Sequence, residues 1–99
     1  MAQVIMEEIK KVEKEEIANM HFPHNEVLTD KLAIGERTNQ LKKAQALGNT
    51  EKHKITIVFE DTEGKKEVKT TVWAAGSDNI VLKQGVFIPV HAIHSIKLL

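Results

Sequence analysis

The stretch "ITIVFEDTEGKKEVKTTVWAA", residues 55–75, decides what kind of fold this chain builds. Its apolar residues recur at every second position. Ile55, Ile57 and Phe59 fall on one face of an extended chain, and Thr56, Val58 and Glu60 on the other. "DTEG" then reads as a hairpin loop, with glycine where a positive φ is needed. The chain returns as one long strand in which Val68, Thr70, Val72 and Ala74 alternate against Lys69, Thr71, Trp73 and Ala75.

Working downstream, "GSDN" is a turn, "IVLK" a short strand and "QG" a two-residue turn. "VFIPV" is the fourth strand, with Val86, Ile88 and Val90 alternating and Pro89 where an edge or bend tolerates it. "HAI" is too short and too apolar for a solvated loop, and a single 3₁₀ turn fits it before the last strand, "HSIKLL". Five short antiparallel strands, the second long and bent, bury their apolar faces best as a small barrel-like sheet.

Upstream of this region the period changes. Ile5, Ile9 and Val12 follow helical spacing, so "AQVIMEEIKKVEKEEIANM" reads as a helix with a narrow apolar stripe. "HFPHNEVL" is a loop over about residues 20–28, because Pro23 turns Phe22 away from helical geometry. A second helix lies within "TDKLAIGERTNQLKKAQALGN", capped by Thr29 or Asp30. It starts either there or after Gly35, and its apolar positions are Leu41, Ala44 and Leu47. Gly48, with Asn49 after it, reads as the stop. The expected plan is α+β: a helical segment over 1–49 and a barrel over 50–99, forming one folded unit.

The run "VKTTVWAAGSDNIVLKQGVFIPVHAIHSIKL" resembles the small SH3-like and Sm-like β-barrels. Residues 41–98 also resemble a group of short bacterial proteins sharing "LGN", "FED.EG", "TTVWA" and "GV.IPI" in this order. That group brings no assigned activity. The Sm-like resemblance implies a five-stranded antiparallel barrel and RNA binding around a ring. No Asp-Asn-Arg-type loop is found in "GSDNIVLKQG", and turn propensity alone accounts for Asp78, Asn79 and Gly85.

The 99 residues are 41% hydrophobic and 28% charged, ordinary values for a globular chain. The N-terminal stretch is acidic and broken by charges, unlike a signal or transit peptide, and no apolar run is long enough to span a bilayer. There is no cysteine, hence no disulfide, thiol nucleophile or thiolate ligand. These features point to a cytoplasmic protein without a membrane partner. Formal charge is zero overall, but residues 1–36 carry −4 and residues 37–99 carry +4. An acidic segment shielding a mildly basic module would show this asymmetry, and so would ordinary solvation.

Two HxxH pairs, His21 with His24 and His91 with His94, raise a metal site, since neutral imidazole is a common ligand. A closed zinc site needs four ligands, so the two pairs would have to converge in space. Otherwise they are turn histidines. Trp73 is either a stacking platform for single-stranded nucleic acid or a ring covered by a helix. With Lys42, Lys43, Lys54 and Lys69 it forms the candidate nucleic-acid set, though Glu51, Glu60, Asp61, Glu63 and Glu67 interrupt the basic run. No phosphate loop, HExxH or nucleophile elbow occurs, so no catalytic residue, cofactor or small-molecule substrate is assigned. The expected role is a non-enzymatic interaction and assembly module that self-associates, with RNA binding as the alternative and metal binding as the second.

Overall fold

A computed structural model describes residues 9–51 and 54–98. The chain is α+β, with one long helix and two sheets. In order, the elements are β1 (Lys10–Lys11), α1 (Lys14–Ile17), α2 (Lys31–Glu51), β2 (Ile55–Asp61), β3 (Gly64–Thr70), β4 (Val72–Ala75) and β5 (Asn79–Leu82). A 3₁₀ turn at Lys83–Gly85 leads to β6 (Phe87–Pro89), and a second at Val90–Ala92 leads to β7 (Ile93–Lys97). One sheet has the order β1-β3-β2-β7, antiparallel except for the β1–β3 pair; the other is the antiparallel meander β4-β5-β6.

The closed five-stranded barrel expected from the sequence is not formed. Among the described residues no ladder joins the two sheets, and the expected long strand over 65–75 is divided at Thr71 into β3 and β4. The reason lies at the corner. Thr70, Thr71 and Val72 are all buried, because the chain passes from one sheet to the other and both of its faces turn inward there. The expected alternation therefore fails at Thr71. It changes phase again two residues on, where Val72 pairs with Leu82 but Ala74 with Val81, leaving Trp73 as the extra residue of a bulge. In consequence Ala75, not Ala74, packs against the core.

The helical segment also departs from expectation. Residues 1–8, which include the start of the expected first helix, lie outside the described residues; residues 10–11 form a short parallel strand on β3, and only a single turn of helix follows. The second helix starts at Lys31 and runs straight through Gly35, with the Leu32 amide donating to Asp30 Oδ1 (3.0 Å). Nor does Gly48 stop it, since α2 continues to Glu51. The buried positions Arg37, Leu41, Ala44 and Gly48 make a stripe of helical spacing. Gly48 is where that stripe comes closest to the sheet, because a Cβ there would run into the Val72 carbonyl oxygen. Next to it, Gln45 Oε1 accepts a hydrogen bond from the Ala75 amide (3.0 Å), so α2 covers the β4 edge of the second sheet.

The core is shared by every layer. Val12 and Ile17, Leu41 and Ala44 of α2, Ile55, Ile57 and Phe59 of β2, Ile80 and Leu82 of β5, and Ile88, Ile93 and Ile96 belong to one cluster. Residues 18–30 cross this core as a strap. Phe22 packs on Phe59 with ring centroids 6.0 Å apart. The Thr62 amide donates to His21 O (2.8 Å), and the Val27 amide to His91 O (2.9 Å).

The strap is fastened by charge as well. Arg37, only 4% exposed, donates from both terminal nitrogens to the Glu26 carboxylate (2.7 and 2.5 Å) and from Nη1 to Ile93 O (3.0 Å). That hydrogen bonding holds the Glu26 carboxyl below its ordinary range, against the opposite pull of partial burial. A folded-state value lowered in this way stabilises the protein above the unfolded value, about 4.3 for glutamate, and the gain is lost as pH falls through the folded value. The urea stability gap between wild type and Glu26→Gln should therefore be constant near neutrality and shrink below about pH 4. An unchanged gap at about pH 3 would show that the pair contributes nothing that titrates.

Candidate functional site: the outer face of the second sheet

In the β4-β5-β6 meander the residues directly opposite one another share a face. Val72 with Leu82, and Ile80 with Ile88, are the inward pairs and are fully buried. Ala74, Val81 and Phe87 are paired across the three strands on the other face. Phe87 is 59% exposed there, and Trp73, re-aimed by its bulge, is 48% exposed. The sequence alternative in which a helix covers Trp73 is thus not realised. Two large aromatic side chains turned to solvent on one small sheet are a binding-surface feature, because exposed apolar area of this kind is otherwise selected against.

Trp73 borders a cleft of about 440 Å³ whose other walls are Gly48 and Asn49 at the end of α2, Thr71 at the corner, Lys54 ahead of β2 and Lys83 at the turn after β5. The turn is built by its backbone. Gln84 and Gly85 both have positive φ (71° and 79°), and the Leu82 amide donates to Val86 O (2.7 Å), as a tight hairpin between β5 and β6 requires. The Lys83 amide also donates to Thr71 O (3.0 Å), which ties this turn to the corner beside Trp73. Neither Lys54 nor Lys83 enters an ion pair with a described residue, and no carboxylate is among the described residues that line the cleft.

Of the five nucleic-acid candidates, the structure brings Lys54 and Trp73 together. Lys42 instead lines a separate cleft with Leu41, Ala75, Gly76 and Val90. Lys43 is exposed on α2, and Lys69 is exposed on β3, in the first sheet opposite Thr56. Lys83 and Phe87 were missed as site residues. For Phe87 a signal existed, since taking Val86, Ile88 and Val90 as inward leaves it on the outer face. For Lys83 there was none, because the turn that brings it to Thr71 joins positions twelve residues apart.

"HFPH" does come to meet "HAIH", but the contact runs through the main chain. His91 Nε2 donates to Pro23 O (2.6 Å), while His21 and His24 are exposed. His94 is the extra residue where Val58 pairs with Ser95 and Phe59 with Ile93, and this bulge aims its Nε2 to donate to Glu60 Oε1 (2.8 Å). The ring contacts of His91 and His94 are thus spent on strap and sheet. Among the described residues no group of three or more His, Asp or Glu side chains is placed to hold a metal. His53 lies outside the described residues.

Among the described residues no helix is long and apolar enough to cross a membrane. Compared with known proteins, the chain matches no family model, no curated protein and no solved structure.

Proposed function

We propose that this protein is a non-enzymatic interaction and assembly module that self-associates through the outer face of its second sheet. The observation that carries this reading is the exposure of Phe87 on that face, directly opposite Val81. The far edge of the same sheet supports it. Gln45 of α2 satisfies the Ala75 amide at the β4 edge, whereas β6 is the last strand of its ladder. A second copy laid on this face would cover Phe87 and extend the buried apolar area without disturbing the core.

The order of elements fits an SH3-like or Sm-like chain whose barrel stays open. β3 and β4 stand for the long bent second strand, β5 and β6 follow as hairpins, and β7 returns after a 3₁₀ turn to pair with β2. That order supports the family resemblance as a reading of ancestry; it says nothing of activity.

Sedimentation equilibrium tests the proposal. The wild-type chain is expected to run heavier than its 11.1 kDa monomer, and Phe87→Gln to run as a monomer with its thermal unfolding unchanged. A wild-type protein that stays monomeric up to about 0.5 mM, where even a dissociation constant of about 1 mM would show, overturns it.

A further inference from the structure

We infer that the cleft beside Trp73 binds single-stranded nucleic acid, with one base stacked on the indole and the neighbouring phosphates held by Lys54 and Lys83. The inference rests on the exposure of Trp73 beside this cleft, and not on self-association. Three observations favour this occupant. The indole is half exposed at the mouth of a cleft of about 440 Å³, within the range that holds a nucleotide-sized group. Among the described lining residues both charged side chains are lysines, they come from separate segments, and no described partner neutralises them.

The third observation is their placement around one ring. Lys54 leads into β2, and Lys83 is tied by its amide to Thr71, two residues from Trp73. A strand of nucleic acid presents this same alternation of flat ring and anionic linker, and any base offers a π-face to the indole. A duplex keeps its bases stacked inside and would offer the cleft phosphates alone. An acidic peptide would satisfy the lysines but leave the indole face uncovered. Asn49, with both a donor and an acceptor, stands at the wall where a base edge or a ribose hydroxyl would lie.

Trp73 is the only tryptophan, so its fluorescence reports the site directly. The full chain is titrated with 12-nucleotide oligouridylate and, in a second arm, oligodeoxythymidylate, at about 20 and about 200 mM salt. Saturable quenching is expected. With two phosphates neutralised, affinity should fall about 25-fold over that tenfold salt increase, from a slope of about −0.7 per phosphate on single strands. Lys83→Ala, at an exposed position, should reduce the salt effect to about fivefold. The two arms show whether ribose or deoxyribose is preferred, and either preference fits the inference.

Absence of quenching in both arms overturns the inference, as does quenching indifferent to salt and to Lys83→Ala. Equal quenching by polyglutamate of the same charge would assign the cleft to an acidic protein, which also overturns it. Phe87→Gln separates this inference from the self-association proposal. It should abolish assembly in the centrifuge while leaving the salt slope of quenching intact, so either can fail alone.

Discussion

Asp61→Ala should destabilise the protein by about 3–5 kcal/mol, the cost of leaving a buried charge without its partner. Asp61 Oδ1 accepts three hydrogen bonds, from the Glu63 amide (2.9 Å), the Gly64 amide (3.0 Å) and Lys66 Nζ (3.1 Å). Both members of the ion pair are buried. Removing the carboxylate therefore strands an ammonium under the strap and unties the β2–β3 hairpin, where Gly64 has φ 137°. The opposite truncation is milder. Lys66→Met leaves Asp61 with two amide donors near the hairpin tip, so urea unfolding should show it costing clearly less. Equal losses for the two variants would mean that the pair acts only through its mutual attraction.

Gly48→Ala and Gly35→Ala lie on the same helix and should move stability in opposite directions. At residue 35 nothing lies within 4 Å of an added Cβ, so alanine gains its helix-propensity advantage of about 1 kcal/mol. At residue 48 the same methyl collides with the Val72 carbonyl oxygen and meets Thr71 Cγ2 at 3.1 Å. The carbonyl cannot move aside cheaply, because Val72 is fully buried and paired to Leu82 in the second sheet. Helix α2 must then lift from β4, straining the Gln45–Ala75 hydrogen bond. Overpacking outweighs propensity here, giving a net loss of about 1–3 kcal/mol. Thermal denaturation of the two variants side by side checks both signs, and a stabilised Gly48→Ala would mean the helix does not sit against that strand.

What the sequence showed was local. The alternation of Ile55, Ile57 and Phe59, the glycine at residue 64 and the 3₁₀ turn before the last strand all follow from near-neighbour chemistry, and each is present. What it hid was the relation between distant parts. Thr71 looks like any outward strand residue until the chain turns a corner at it. Gly48 has the composition of a helix stop, and only the approach of β4 makes it a packing residue. The fate of the histidines could not be read either, since His91 and His94 are claimed by Pro23 and Glu60, which lie 68 and 34 residues away. Of the site, Lys54 and Trp73 were named from residue type, but the bulge that exposes the indole depends on a pairing shift with β5.

The strap over residues 18–30 has a consequence for the order of assembly. The β2–β3, β4–β5 and β5–β6 ladders join strands close in sequence, so they need little loop closure and form early. The strap is fastened at residues 62 and 91, from positions 21, 23 and 27, and its His91–Pro23 contact spans 68 residues, the longest closure among the described hydrogen bonds. Loop-closure entropy therefore predicts that it docks last. Until it does, the Phe59 ring lacks its Phe22 cover, and the folding chain presents an apolar window over its core.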